Sequence, residues 1–354
     1  MAVPHKVTRS HAGEPPRSSD VVELAIQLMQ VESTSGGEGA AVTLVGDLLA
    51  ARGWRVTRIP VSTGRDDVFA RKGAGPFVTL STHLDTVPPH MPPRVDGRRL
   101  WGRGACDAKG IAAAMICAAE RLDARGVAVA LLFVVGEEVS HDGAHAANQW
   151  AARNGVVSRV LVNGEPTEST LALGTKGAMR MTLRVHGVAA HSAYPNLGLS
   201  ATRELARILA ALDDVDLPRD EVLGDTTINI GVISGGVADN VVAPSAEARL
   251  MARTVGAPEE VLRRVRELVG DRGELHQGIT APAVRLGVLP GYPTSVVAYA
   301  TDIPALGNWG TPYLFGPGSI HVAHRDDEHI EIEELRRAVE TYERLAVDAM
   351  RRGE

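Results

Sequence analysis

Four places in this chain bring carboxylates or an imidazole to the end of an apolar run or the start of a helix. Phe77-Val78-Thr79-Leu80 is rich in β-formers and bounded by glycine and proline, so it reads as a buried strand. It runs into Ser81-Thr82-His83-Leu84-Asp85, and a histidine there sits where open α/β sheets place their ligands. Asp85 is placed to accept a hydrogen bond from the imidazole nitrogen that faces away from a ligand. Residues 127–135 are almost continuously apolar, the pattern of a central strand, and end in Gly136-Glu137-Glu138. Two neighbouring carboxylates at the end of a buried strand are costly unless a cation or donors meet them. A third run, residues 159–162, ends in Asn163-Gly164-Glu165. Between them the glycine-rich Leu100-Trp101-Gly102-Arg103-Gly104-Ala105-Cys106-Asp107 leads into an apolar helix over residues 111–122. An aspartate there, taken alone, is an ordinary helix cap.

One histidine with several carboxylates and no cysteine pair is a ligand set for two divalent cations, most readily zinc. A two-metal hydrolase needs one ligand shared between the ions, terminal ligands on each, and a free carboxylate for the proton of the attacking water. Of two adjacent glutamates, one can bind metal while the other serves as base. Other chemistries lack their residues. No Gly-x-Ser-x-Gly elbow appears, and neither a phosphate-binding Gly-x-x-x-x-Gly-Lys-Ser/Thr nor a dinucleotide Gly-x-Gly-x-x-Gly follows a strand. Cys106, in a tight turn beside Asp107, suits a packed small residue better than a nucleophile.

The elements that must hold these residues alternate. Helical spacing is read over residues 20–31, with Ser19 or Asp20 as cap, and over 40–52, ended by Gly53. Strands are read at 56–60, 68–71 and 77–80, so the fold class is α/β with layers of helix on sheet. From Lys176 the pattern changes. Residues 177–187 alternate as a half-exposed strand does. A helix (200–212), two strands (227–233 and 246–253), a helix (258–269) and a strand-like segment (279–288) follow. This β-α-β-β-α-β order predicts an inserted ferredoxin-like α+β domain over 176–288, within a catalytic domain made of 19–175 and 289–354. The chain closes with a strand at Tyr313-Leu314-Phe315 and an amphipathic helix over 331–350.

The chain has 354 residues, 44% of them hydrophobic and 23% charged, ordinary for a globular protein with a real core. Its net charge of −6 argues against nucleic acid or an anionic membrane as the main partner. No apolar run approaches a membrane span. Residues 1–18 are polar, lack the apolar core of a signal peptide and are expected to form a loose tail. Two cysteines cannot build a disulfide framework, so a reducing cytoplasm is expected.

His83-Leu84-Asp85-Thr86-Val87-Pro88, Gly102–Gly110, Gly136-Glu137-Glu138, Gly164-Glu165-Pro166, His191-Ser192-Ala193-Tyr194-Pro195 and Gly316-Pro317-Gly318 with Ala323-His324 resemble, in order, the motifs of the M20 family of zinc peptidases and deacylases. The likeness runs from about Asp20 to the C-terminus. It looks strongest to the acetylornithine deacetylase and succinyl-diaminopimelate desuccinylase branch, enzymes of amino-acid and arginine biosynthesis. The resemblance implies two zinc ions, replaceable by cobalt, bridged by Asp107. His83 and Glu165 would complete one site, and Glu138 and His324 the other. It implies Glu137 as general base and Asp85 as the residue orienting His83. His191 would reach the active site of a second subunit in a homodimer. Asn240, Arg253 (with Arg249 as rival) and Gly318 would contact the substrate. That substrate is expected to be an N-acyl amino acid. N-acetylornithine, N-acetylcitrulline, N-acetyllysine-type and N-succinyl-diaminopimelate substrates all fit, with a dipeptidase or carboxypeptidase of the same family as the alternative. A relative that binds metal without catalysis would lack a ligand or the base, and here every such position is filled.

Overall fold

The computed structural model describes residues 20–352; the expected tail over residues 1–18 lies outside them. The central sheet has six strands, in the order Arg55–Ser62, Arg65–Lys72, Val129–Val134, Phe77–His83, Ser158–Asn163, Thr311–Leu314. Phe77–His83 lies parallel to both neighbours, and Thr311–Leu314 is parallel to Ser158–Asn163. The first two strands form an antiparallel hairpin, itself antiparallel to Val129–Val134. Every residue of Phe77–His83 and Val129–Val134 is buried. Val129, Leu131 and Phe133 pack with the helices Val21–Met29, Lys109–Ala124 and Ile332–Arg352 on one face. Ala130, Leu132 and Val134 pack with the helix Asp142–Arg153 and Trp309 on the other. Cover on both faces is why these strands read as unbroken apolar runs rather than alternating ones.

Asp20 caps the first helix, accepting from the Val22 N–H at 2.9 Å. Lys109–Ala124 is buried along most of its length, in keeping with its alanine-rich sequence. The elements the sequence did not signal include the helix Asp142–Arg153, whose buried residues are small (Gly143, Ala144, Ala147, Ala151), and the strand Leu171–Thr175.

Residues 177–281 form a second sheet with its own core. Its order is Thr227–Gly235, Ser245–Thr254, Gly177–His186, Glu274–Ala281, antiparallel throughout. Met179, Met181, Leu183 and Val185 face the helices Ala201–Ala210 and Pro258–Val269, while Ala178 and Arg180 face the other way. The order of strands and helices is the ferredoxin-like one read from the sequence. The last strand begins at Glu274, not 279. A register shift between Gln277 and Thr280 breaks its alternation and hid its start. The chain enters this unit from Leu171–Thr175 and leaves through Val284–Arg285, and these segments pair side by side. Among the described residues no helix is long and apolar enough to cross a membrane.

Candidate metal centre

The C-terminal ends of the parallel strands converge as the sequence suggests, and Asp107 lies at the middle of the group. Its Oδ1 is 3.0 Å from Nε2 of His83, and its Oδ2 is 3.2 Å from Nε2 of His324. Glu165 lies 3.9 Å from that nitrogen of His83, and Glu138 lies 3.0 Å from that of His324. Two sets result, His83–Asp107–Glu165 and Asp107–Glu138–His324, each with ligand atoms within 4.8 Å of one another. Asp107 does not cap the following helix: Ala108 occupies the cap position and no side chain caps it. The Asp107 carboxylate is committed to the two histidines instead.

The donor set fits two divalent cations. Three carboxylates and two imidazoles face inward, and Oε1 of Glu165 is buried with no hydrogen-bond partner. Charge crowding points the same way. Burial pushes the Glu137 carboxyl well above the usual range, and the charge of Glu165 adds to it. Burial does the same to Glu165, with Asp107 adding. Hydrogen bonds to Asp107 and Glu138 push the His324 imidazole up to about 10. Burial opposes ionisation of Asp107, yet the two histidines together hold its carboxyl below the ordinary range. Without cations the cluster retains protons that cations would displace.

Asp85 does more than face His83. Nδ1 of His83 lies 2.9 Å from the Asp85 backbone carbonyl and 3.5 Å from its carboxylate. The carboxylate accepts the backbone N–H groups of Glu137 and Glu138 at 3.1 and 3.2 Å, and the Ser35 hydroxyl at 2.8 Å. One buried side chain thus orients the turn that carries the paired glutamates.

Glu137 belongs to neither ligand set that contains Asp107. It groups with His141 and Asp302. His141, in a left-handed conformation before the helix Asp142–Arg153, has Nδ1 at 2.8 Å from Asp302 and 3.9 Å from Glu137. Sequence reasoning missed this pair. It also missed Glu328, which is buried against Arg103 at 2.6 Å and accepts the N–H groups of Gly104, Cys106 and Asp107. Glu328 therefore clamps the loop that presents Asp107. The Cys106 thiol is buried in that loop, and burial together with the Glu328 charge pushes its pKa well up, opposite to what a nucleophile needs.

A cleft of about 380 Å³ opens over the cluster. Asp107, Glu137, Glu138, Glu165, His141 and His324 line one side, and Ala178, Arg180, Met251, Arg253, Ile279 and Ala281 of the second sheet line the other. Arg253 faces the cleft; its rival Arg249 does not line it. His191 and Asn240 are not part of this wall. They lie together at a distance from it, where Ser192 donates to the Asn240 carbonyl and His191 bridges to Val241. Gly318 also lies off the cleft. It has φ +85°, its N–H donates to Glu334 at 2.9 Å, and a Cβ there would come within 2.6 Å of the Cys106 Cβ. Its observed role is close packing beneath the Asp107 loop.

Comparison with known proteins agrees with this geometry. The model of peptidase family M20/M25/M40 matches residues 79–348. A peptidase M20 domain-containing protein of Schizosaccharomyces pombe is 37% identical over 355 residues, covering 97% of this chain and 88% of the relative. A "Probable carboxypeptidase" of Paracoccidioides brasiliensis is 36% identical over 398 residues, covering 99% and 90%. Among solved structures, a tripeptidase from Staphylococcus aureus superposes with a TM-score of 0.80 at 19% identity, over 94% of this chain and 99% of that one. A dinuclear metal-binding M20 peptidase from Bacillus subtilis superposes at 0.69 and 16% identity, over 92% and 96%. The chain belongs to peptidase family M20/M25/M40, and it is a hydrolase.

Proposed function

We propose that this hydrolase uses two zinc ions, replaceable by cobalt, to cleave the amide bond of a small N-acyl amino acid or short peptide whose leaving amine carries a free carboxylate. The observation that carries this reading is the division of labour between the neighbouring glutamates: Glu138 faces His324 and Asp107, while Glu137 lies outside that set, beside them. His83, Asp107, Glu165, Glu138 and His324 would hold the ions. When bound, the ions supply Lewis acidity toward the amide carbonyl and lower the pKa of water. Glu137 takes a proton from the attacking water and gives it to the leaving nitrogen as the C–N bond breaks, so water is divided between a carboxylate and an amine. Asp85 holds the backbone of Glu137 in place for that transfer. Arg253 is positioned to pair with the substrate carboxylate.

The carboxypeptidase name of a close relative favours removal of a C-terminal residue, and an N-acyl amino acid is the smallest substrate of that kind. The acetylornithine reading is one member of this class. Residues 176–288 would act as a lid and as the contact of a homodimer. Supporting this, the edge strand Thr227–Gly235 is exposed nearly throughout and carries Ile230, Val232 and Ile233 outward. A second subunit would bring His191 and Asn240 to the cleft. Two buried cysteines that form no disulfide fit a reducing compartment such as the cytoplasm.

The test is a panel assay with zinc- or cobalt-loaded protein, following amine release from N-acetyl amino acids, N-succinyl-diaminopimelate and dipeptides, with Glu137→Ala beside each. Turnover that the control abolishes supports the reading. Silence across the panel in protein carrying two metal equivalents would defeat it.

A further inference from the structure

The wall of the cleft opposite the metal ligands carries two cations that nothing among the described residues neutralises. Arg180 and Arg253 both line it. In the strand register Arg253 faces Ala178 and Arg180 faces Met251, so the two arginines are diagonal neighbours on one face, a placement that sets such residues roughly 7–8 Å apart. Neither has a hydrogen bond or ion pair among the described residues. Arg184, further along the same strand face, is different: Glu247 neutralises it at 2.8 Å. Arg253 is half-buried; burial first, then the charge of Arg180, lowers its pKa. Arg180 is exposed to solvent at the mouth of the cleft, so the burial cost falls on Arg253, and an anion held between the two guanidiniums would relieve it. Planar guanidiniums suit carboxylates in particular.

The four acids lining the cleft are Asp107, Glu137, Glu138 and Glu165, all on the metal side. Asp107, Glu138 and Glu165 belong to the two ligand sets and Glu137 is the proposed base beside His141, so no carboxylate of the cleft is left for a basic substrate side chain. The lid side adds only Ala178, Met251, Ile279 and Ala281 to the arginines.

We propose that the substrate carries a second carboxylate besides the one next to the scissile nitrogen, and that Arg180 is the specificity residue that holds it beside Arg253. This rests on the hydrolytic reading above and narrows it to dianionic substrates. The second carboxylate comes either from an acidic leaving residue, aspartate or glutamate, or from a dicarboxylic acyl group. A basic leaving residue such as ornithine is disfavoured.

The experiment compares near-isosteric pairs on the metal-loaded full chain. One arm sets N-acetyl-L-glutamate against N-acetyl-L-glutamine. The other sets N-succinyl-L-alanine against its succinamyl analogue. In one arm the acid is expected to exceed the amide by about tenfold or more in kcat/KM, as when a site's polar groups lose their partner. That ratio should fall to within about threefold in Arg180→Gln and recover in part in Arg180→Lys, since only the fork geometry is lost. Binding is measured alongside by calorimetry, with L-glutamate against L-glutamine and succinate against succinamate. Equal rates for acid and amide in both arms, or a preference that survives Arg180→Gln, overturns the proposal while leaving the hydrolase reading intact. Should no compound be hydrolysed, the N-acyl amino acid reading fails and the hydrolase assignment stands. Tighter binding of the dicarboxylates, lost in Arg180→Gln, then still supports the anion site, and equal binding overturns it.

Discussion

Glu137 and Glu138 are neighbours in the chain but face different partners, and substitution should separate them. Glu137→Gln is expected to lower kcat by about 10²–10⁴-fold, the worth of a positioned general base, with both metal equivalents retained. Asp107→Asn should lose metal and activity together, because one side chain meets both histidines. Elemental analysis beside steady-state kinetics checks both. His141, held by Asp302, stands behind Glu137. His141→Ala is expected to reduce kcat by roughly tenfold with KM and metal content nearly unchanged, a modest share of the general-base effect. His141→Asn, which also tolerates the left-handed backbone, should restore part of the loss. At this scale the sequence was legible where a residue ends an apolar run: His83, Glu138 and Glu165. Asp107 was legible as a position but read equally as a cap. His141 pairs with a residue 161 positions away, and Glu328 with one 225 away. No local pattern marks such partners.

Among the elements, the loop Gly102–Asp107 depends on a residue from the far end of the chain. Glu328 neutralises buried Arg103 and takes the N–H groups around Asp107. Glu328→Gln leaves Arg103 buried and uncompensated. Such a change costs about 3–5 kcal/mol, and it should weaken metal binding as well, because Asp107 loses its support. Thermal unfolding with and without added zinc checks both effects. The two-faced strands were readable because burial on both sides leaves no polar positions, and the helix Pro258–Val269 because one face is wholly apolar. The helix Asp142–Arg153 was not, since glycine and alanine supply its buried face and give no periodic signal. The bulge in Glu274–Ala281 hid that strand's start for a related reason: period-two patterns end where the register slips.

For the whole molecule, metal binding and proton release are coupled. In metal-free protein the His324 imidazole is pushed up to about 10, and Glu137 and Glu165 are raised by burial. A raised histidine stabilises the folded state fully below its unfolded value of 6.5, and that contribution disappears as pH climbs through about 10. Metal affinity runs the other way and should strengthen over the same window. Titration calorimetry at pH 7 in buffers of different ionisation enthalpy is expected to show proton release on zinc binding, reduced in His324→Ala. Assembly has its own test. Ile233, 63% exposed on the edge strand, is expected to lie in the dimer contact. Ile233→Lys should shift the protein toward monomer in light scattering, and activity should fall with it if His191 and Asn240 act across subunits.

The paired crossing segments Leu171–Thr175 and Val284–Arg285 also have a mechanical consequence. Two strands hydrogen-bonded side by side bend together more readily than they slide apart, so they would serve as a single pivot were the four-stranded sheet to close as the proposed lid. Distance from a pivot sets how far a side chain travels. Ala178, Arg180, Arg253 and Ala281 lie near the fixed end, next to those crossings in the register, while His191 and Asn240 ride on loops at the opposite end of the strands. A swing that carries the outer loops through a wide arc barely displaces the arginines. A lid of this build would keep a steady grip on charge at the base of the arm while its tip sweeps in and out.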